Sequence, residues 1–206
     1  FWIGMIFTQG SLAQPFEKSP SLAPPPWPAW AHEHWVWENE GTEISAEALV
    51  VDYLKHDIPV SALIIDRPWD TFPSNLVPDP QRYPHLGSLI QRLHDRNVKV
   101  MMWAVSLINE NAPEFSEAKE KGFFVNGGKI VRWWAGKGAL IDYENPDALR
   151  WWHSRMNSLL DLGVDGWKLD AIDPYIMLAK SRNPVEGIGQ VLMGAMNRSE
   201  EHTSEL

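Results

Sequence analysis

Four short apolar runs recur along the chain, and the segments between them carry apolar residues at helical spacing. Runs that are continuous rather than alternating are typical of strands covered on both faces of a parallel sheet. The predicted strands are residues 35–37, 60–65, 98–105 and 164–169. The regular order of strand and helix predicts an α/β fold with right-handed crossovers.

The segments between the strands contain helix start and stop signals. Ser45 is predicted to cap the first helix, and Pro59 ends that segment. Gly163 is predicted to end the last helix. The remaining predicted elements are helices over 86–97, 113–121 and 147–162, and a hairpin over 123–134 that turns at residues 126–128.

The number of strand and helix units indicates part of a β/α barrel. A complete eight-stranded barrel takes about 250 residues, and this chain has 206. We therefore expect a partial TIM (β/α)8 barrel with about the first four β/α units. Because half a barrel leaves strand edges and an apolar face uncovered, we expect this segment alone to be poorly soluble.

The two ends of the chain differ from the predicted barrel, which we place at residues 29–197. Residues 1–28 are predicted to be an N-terminal segment and linker, since Pro24-Pro25-Pro26 excludes a regular helix. The apolar start is typical of the end of a secretory signal and equally of a strand from an upstream domain, so secretion is one of two interpretations. Residues 198–206 read RSEEHTSEL, which resembles a translated sequencing-library adapter. We expect this tail to be non-native and the natural polypeptide to continue past Asn197.

Composition narrows the class of partner. The net charge of −9 and the pI near 5.2 argue against nucleic acid and anionic membranes, which bind basic surfaces. No apolar run is long enough to cross a bilayer. Twelve tryptophans supply flat rings with an N–H at the edge, which suit sugar faces, although we expect about half of them to lie in the core. A carbohydrate is the expected partner, no cofactor is indicated, and the oligomeric state stays open.

Two predicted strands end in an aspartate. Asp66 follows the second strand and Asp170 the fourth, and the carboxyl ends of parallel strands meet at one mouth of a barrel. Paired carboxylates there suit glycoside chemistry, and Asp170 is the leading candidate for a catalytic carboxylate. Lys168 lies two residues before Asp170 on the same strand face, where its ammonium would favour the ionised carboxylate. The simpler interpretations are that the aspartates cap turns or bind sugar hydroxyls, and that Lys168 forms a structural ion pair.

An alternative class of enzyme starts from His32 and His34. Histidines two apart on a strand share a face, and metal-dependent amidohydrolases begin their metal site with such a pair on the first barrel strand. The other histidines fall on predicted helices, in a loop or in the tail, whereas a metal site needs further ligands. We therefore expect no metal centre, and the absence of cysteine also excludes a thiol nucleophile.

Five blocks of residues occur in an order and spacing that one known family shares. The blocks are Ile64-Ile65-Asp66, Lys99-Val100-Met101-Met102-Trp103, Trp134-Ala135-Gly136 with Asp142-Tyr143-Glu144-Asn145-Pro146, Trp151-Trp152, and Asp165-Gly166-Trp167-Lys168-Leu169-Asp170. This ordered set resembles glycoside hydrolase family 31, which contains retaining α-glucosidases, α-xylosidases and related enzymes. The resemblance covers about residues 27–175, and it is specific because of the order, since single blocks are weak signals.

The resemblance implies that Asp170 is the nucleophile, which forms a covalent β-glycosyl ester. The family's general acid/base lies further along such chains than residue 206, so no residue here is assigned to it. This chain alone is therefore expected to be inactive, or to be no more than a sugar-binding remnant. Asp173 keeps an acidic residue that many members carry three positions after the nucleophile, but Ala171-Ile172 replaces the usual pair between them, which leaves the substrate sugar open.

The resemblance also implies a set of sugar-binding residues. Asp66 would bind hydroxyls of the sugar at the cleaved bond, and Trp103 and Trp134 would line that pocket. Trp133 is the alternative to Trp134, because the tandem pair leaves the register open. Lys168 would contact both the sugar and the nucleophile.

Overall fold

The computed structural model describes residues 28–170, which contain a four-stranded parallel sheet, its helices and a smaller second sheet. The strands are β1 (Trp35–Glu38), β2 (Ala62–Ile65), β3 (Lys99–Ala104), β4 (Leu107–Asn109), β5 (Val131–Trp133), β6 (Gly136–Leu140) and β7 (Gly166–Leu169). The helices are α1 (Glu43–Lys55), α2 (Leu86–His94), α3 (Glu114–Glu120) and α4 (Pro146–Leu160), with 3-10 turns at Ala29–His32 and Val125–Gly127.

The main sheet has the order β1-β2-β3-β7, and every neighbouring pair is parallel. Helix α1 connects β1 to β2, α2 connects β2 to β3, and α4 leads into β7, as the alternation of strands and helices predicts. The α/β class and the partial TIM barrel are therefore confirmed. Within residues 28–170 the main sheet is open, with four strands, and does not close into a barrel.

One face of the main sheet packs against the helices and carries the core. Leu63 and Ile65 of β2 pair in register with Val100 and Met102 of β3, and all four side chains are fully buried. Leu93 of α2 is fully buried in the same cluster. Burial of each such side chain contributes about 1.5–3 kcal/mol, so this packing fixes the strands, and with them the residues that follow each strand.

The first helix begins one turn before the predicted cap. Thr42 is the N-cap, and Ser45 is the third residue of the helix. The backbone N–H of Ser45 donates to Oγ1 of Thr42 over 3.3 Å, and the backbone N–H of Thr42 donates to Oγ of Ser45 over 2.8 Å. Both residues thus belong to one capping box, which explains why Ser45 alone resembled a cap.

An insertion between β3 and α4 contains a second, antiparallel sheet in the order β4-β6-β5. The predicted hairpin over 123–134 is wrong. Residues 126–128 all have positive φ, as their Asn-Gly-Gly sequence indicates, but they form the end and the C-cap of a 3-10 turn. The observed hairpin is β5–β6, which turns at residues 134–135, just before Gly136 with a φ of 131°. Asn and Gly mark left-handed backbone, which several kinds of turn share.

The remaining predicted helices are observed as α2, α3 and α4, with ends that differ by up to three residues. No helix among residues 28–170 has the length and apolar character needed to cross a membrane. The predictions for residues 1–27, for Asp173 and for the tail at 198–206 concern positions outside the described residues.

Candidate functional site

The carboxyl end of the main sheet gathers four of the predicted site residues. Asp66 directly follows β2, Asp170 directly follows β7, and Trp103 lies in β3 between those strands. Trp103 pairs in register with Lys168, and the β2–β3 register places Asp66 level with Trp103. Because the strands are parallel, these residues share the end of the sheet at which barrel enzymes place their chemistry. We call this end the mouth.

The carboxyl group of Asp66 is buried and accepts three interactions. Nε1 of Trp37 donates to Oδ2 over 2.6 Å, and the backbone N–H of Arg67 donates to Oδ1 over 2.7 Å. The ammonium of Lys168 forms an ion pair with Oδ2. These donors hold the carboxyl group in one orientation and offset its negative charge.

Asp170 is attached to β3 through two hydrogen bonds. Its backbone N–H donates to the carbonyl oxygen of Ala104 over 3.1 Å, which extends the β3–β7 ladder by one residue. The indole N–H of Trp103 donates to Oδ2 of Asp170 over 2.9 Å. Trp103 is fully buried, and its carbonyl oxygen accepts a 2.9 Å hydrogen bond from Nε1 of Trp69. A fixed donor of this kind holds the carboxyl group in one orientation.

Lys168 forms its observed ion pair with Asp66, whereas the sequence pointed to Asp170 as the neighbouring carboxylate. Its ammonium also lies 4.9 Å from the centre of the Trp37 ring, within range of a cation–π contact. Strand alternation predicts the face on which a side chain lies, but it does not predict which of two carboxylates on that face a flexible lysine reaches.

Three tryptophans lie side by side next to Asp170, and we call Trp103, Trp133 and Trp134 the aromatic wall. Trp133 stacks on Trp103 with ring centres 6.4 Å apart and an interplanar angle of 7°. Trp134 is inclined to both, with its ring centre 6.1 Å from Trp103 and 5.1 Å from Trp133. Trp133 is 7% exposed and Trp134 is 59% exposed. Both members of the tandem pair therefore contact Trp103, and Trp134 is the one with ring surface left for a ligand.

The sequence patterns do not predict Trp37 and Arg67 as parts of this mouth. Trp37 is 56% exposed although it lies in β1, and it bonds directly to Asp66. The guanidinium of Arg67 lies 4.8 Å from the centre of the Trp134 ring. An apolar pattern assigns an aromatic strand residue to the core. The signal that points to Trp37 is its place near the carboxyl end of the strand next to β2.

The loop after β2 contains a second buried carboxyl group, that of Asp70. It accepts backbone N–H bonds from Ser74 and Leu76, but its Oδ2 has no hydrogen-bond partner among residues 28–170. Desolvation by burial raises the pKa of Asp70 to about 7, against the opposing effects of the backbone bonds and of the Arg67 charge. Oγ of Ser74 accepts a 2.8 Å hydrogen bond from the backbone N–H of Val105, which attaches this loop to the end of β3.

The structural premise of the alternative metal pair, His32 and His34, is wrong. His32 lies in the first 3-10 turn and His34 precedes β1, which starts at Trp35. Nδ1 of His34 lies 3.0 Å from the carbonyl oxygen of Pro59. In the part of the chain that the structure describes, no group of three or more His, Asp and Glu side chains is arranged to hold a metal ion.

Comparisons with known proteins bear on both the fold and the family. A family model described as Glycosyl hydrolases family 31 TIM-barrel domain matches residues 24–191. The alpha-xylosidase XylQ of Lactiplantibacillus pentosus is 32% identical over 152 residues, which are 69% of this chain and 20% of that protein. A myogenesis-regulating glycosidase of Mus musculus is 28% identical over 160 residues, which are 74% of this chain and 22% of that protein. The chain thus spans about a fifth of the length of these curated relatives.

Solved structures share the fold of this chain at low sequence identity. A Flavobacterium johnsoniae dextranase complexed with glucose matches with a TM-score of 0.71 at 17% identity, over 84% of this chain and 24% of the dextranase. An alpha-xylosidase from a soil metagenome, complexed with xylose, matches with a TM-score of 0.70 at 18% identity, over 85% of this chain and 28% of that protein. At this level of identity the likeness establishes the arrangement of strands and helices.

Proposed function

We propose that this chain, which belongs to glycosyl hydrolases family 31, is part of the catalytic barrel of a retaining α-glycosidase. We call the longer polypeptide that would contain it the complete protein. The observation that carries the proposal is the pair of carboxyl groups at the mouth, with Asp170 held by Trp103 and Asp66 held by Lys168 and Trp37. Glycoside cleavage with retention requires a carboxylate that attacks the anomeric carbon and a separate general acid/base, and Asp170 is the group that we propose for the first role.

In the proposed first step, an oxygen of Asp170 attacks the anomeric carbon, and the bond from that carbon to the leaving oxygen breaks. A general acid protonates the leaving oxygen, and a β-glycosyl ester of Asp170 remains. In the second step, water attacks the anomeric carbon and passes a proton to the same acid/base group. The bond from that carbon to the Asp170 oxygen breaks, and the sugar leaves in its original α configuration. We assign no residue of this chain to the acid/base. Because loss of that group costs roughly 10²- to 10⁴-fold in rate, we propose that residues 1–206 alone are inactive.

We propose that Asp66 binds hydroxyl groups of the sugar in the cleaved-bond subsite. Its fixed orientation supports this role, because a carboxylate held by its neighbours does not lose rotational freedom when the sugar binds. The exposed ring of Trp134 would line the pocket, and Trp103, whose side chain is fully buried, would support that ring and hold Asp170. Lys168 would contact both the sugar and Asp170. The relatives that match include alpha-xylosidases and alpha-glucosidases, so we propose an α-glycoside without naming the sugar.

The decisive experiment traps the ester. An activated fluoroglycoside added to the complete protein should form a stable adduct, and peptide mass analysis should locate it on Asp170. Asp170→Ala should lower kcat by roughly 10⁴-fold or more, because no neighbouring group replaces a missing nucleophile.

The matched control is Asp165→Asn, at the opposite end of the same strand, which should be labelled on Asp170 like the wild type. A label on any other residue, or normal turnover by the Asp170→Ala variant, would overturn the assignment.

A further inference from the structure

We propose that Asn109 is a positioning residue that holds the aromatic wall in place and, through it, the carboxyl group of Asp170. The proposal rests on the function proposed above for Asp170. The effect of Asn109 on Asp170 is transmitted through Trp133 and Trp103.

Asn109 uses both ends of its side-chain amide in the insertion. It is the last residue of β4 and is buried, with 4% of its surface exposed. Its Oδ1 accepts a 2.8 Å hydrogen bond from Nε1 of Trp133, and its Nδ2 donates to the carbonyl oxygen of Ala135 over 3.0 Å. One side chain thus holds both sides of the β5–β6 turn, with Trp134 between the two attachment points.

The turn can approach Asn109 this closely because it contains glycine. A Cβ atom on Gly136 would lie 3.0 Å from Nδ2 of Asn109, and the φ of 131° at Gly136 already disfavours other residues. A Cβ on Gly138, which pairs with Asn109 in the β4–β6 register, would lie 2.3 Å from the carbonyl oxygen of Ile108. The close approach leaves the turn little freedom to move relative to β4.

The aromatic wall carries this restraint to the catalytic carboxyl group. Trp133, fixed by Asn109, lies nearly parallel to Trp103, and Trp134 is inclined against both rings. Trp103 donates the 2.9 Å hydrogen bond to Asp170. Loss of the amide of Asn109 therefore allows Trp133 to tilt, which removes the support on one face of the ring that orients Asp170.

A purely structural role for Asn109 makes a different prediction from a positioning role. If Asn109 only stabilises the hairpin, its loss lowers the stability of the protein and leaves the kinetics of the folded enzyme unchanged. If it positions the wall, its loss lowers kcat, because a misplacement of about 1 Å near the reacting atoms costs up to roughly 100-fold. It also moves the acid limb of the pH–rate profile to higher pH, since a weakened Trp103 bond favours the ionised Asp170 less.

The test is a double-mutant cycle in the complete protein with an activated aryl α-glycoside as substrate. Asn109→Leu removes both hydrogen bonds of the side-chain amide. Trp133→Phe keeps an aromatic ring but removes the indole N–H that donates to Oδ1 of Asn109. We expect each single variant to lower kcat by roughly 10- to 100-fold and the double variant to be no slower than the slower single variant, because both changes remove the same interaction. Tyr143→Phe is the matched control. It removes another side-chain hydrogen bond of this region, from the Tyr143 hydroxyl to Oγ of Ser106, and should leave kcat unchanged.

The proposal is overturned if the folded Asn109→Leu variant keeps the wild-type kcat and pH profile, or if the effects of the two single variants multiply in the double variant. In either case fluoroglycoside labelling of wild-type Asp170 would show that the proposed function still stands. If the wild type neither turns over nor becomes labelled, the proposed function fails. The positioning of the wall is then judged by the circular dichroism of the stacked Trp103 and Trp133 indoles: its loss in Asn109→Leu supports the role and its retention overturns it.

Discussion

The two ends of the main sheet carry charged clusters built from similar parts. The mouth cluster is Asp66, Lys168 and Trp37, and the base cluster, at the amino end of the strands, is Asp165, Lys99 and His94. Each has one carboxylate that contacts one lysine and one ring nitrogen. The shared composition makes the difference in their surroundings informative.

Among residues 28–170, the side-chain partners of Asp165 belong to the junction between α2 and β3. Its Oδ1 lies 2.9 Å from Nζ of Lys99, and its Oδ2 accepts the N–H of Val100 over 2.8 Å and lies 2.7 Å from Nε2 of His94. Asp165 therefore joins the start of β7 to the end of α2 and the start of β3. Groups at this end of a barrel serve stability.

In the mouth cluster, by contrast, the ring of Trp37 is exposed to solvent, and a second carboxyl group, that of Asp170, lies at the same end of the sheet. Trp37 is more than half exposed, and Asp170 lies across Trp103 from Asp66. An exposed tryptophan ring adds little to the stability of a core, whereas it is suited to contact a ligand. The same ion-pair chemistry thus joins chain elements at the base and, as we propose, binds substrate at the mouth.

The largest difference between the mouth and base clusters is expected when the carboxylate of each is replaced in turn by an amide. Asp66→Asn should lower kcat/KM by roughly 10²- to 10⁴-fold, the loss expected for two hydrogen bonds from sugar hydroxyls to a charged acceptor. Asp165→Asn should keep kcat/KM but lower the free energy of unfolding by about 2–3 kcal/mol, because one amide oxygen replaces two carboxylate oxygens that serve three donors. Steady-state kinetics and urea midpoints of the two variants of the complete protein measure both quantities. The comparison breaks if Asp165→Asn lowers turnover while Asp66→Asn lowers only stability.

The mouth and base differ in how far the sequence predicts them. Asp66 and Asp170 could be placed at one mouth, because a buried parallel strand fixes where its last residue lies and both runs end in an aspartate. The partner of Lys168 could not be predicted. The lysine side chain reaches across β3 to Asp66, and no local pattern encodes a contact between strands that are not neighbours. Trp37 was missed because exposure in β1 depends on what packs over the sheet, not on strand periodicity.

The aromatic wall shows the same limit in the insertion. The resemblance selected Trp133 and Trp134, but the tandem pair left their roles open, and the Asn-Gly-Gly signal pointed to a different turn. Their places follow from Asn109, whose amide bonds both sides of the observed turn across a separation of more than twenty residues. Such long-range bonds depend on the assembled sheet rather than on local propensity.

A smaller effect, dependent on pH, is expected from Asp70 at the mouth. Burial raises the pKa of this carboxyl group from 3.8 to about 7 in the folded protein. Below about pH 4 both states hold the proton and burial of the group has no electrostatic cost. As the pH rises toward about 7, the unfolded chain releases the proton and the folded protein retains it, so this group lowers the stability by a few kcal/mol in total, after which the effect levels off.

Asp70→Asn removes this titration. The difference in urea midpoint between the variant and the wild type should therefore grow in favour of the variant from about pH 4 to about pH 7. Parallel midpoint curves for the two proteins would show that the carboxyl group of Asp70 does not titrate in this range.

The two lysines give the smallest expected effects and the finest test of the comparison. Lys99→Met removes a side chain that is 40% exposed, and Asp165 keeps the N–H of Val100, so the free energy of unfolding should fall by less than about 1 kcal/mol with no change in kcat/KM. Lys168→Met leaves the buried Asp66 without its cation, and because Lys168 lies beside the proposed sugar pocket, kcat/KM should fall by about tenfold. Kinetics measured side by side decide the matter, since the two substitutions are chemically identical. Equal kcat/KM values for the two variants would mean that the Lys168–Asp66 ion pair, like the Lys99–Asp165 ion pair, serves only stability. A loss of kcat/KM confined to Lys168→Met would assign substrate binding to the mouth and stability to the base.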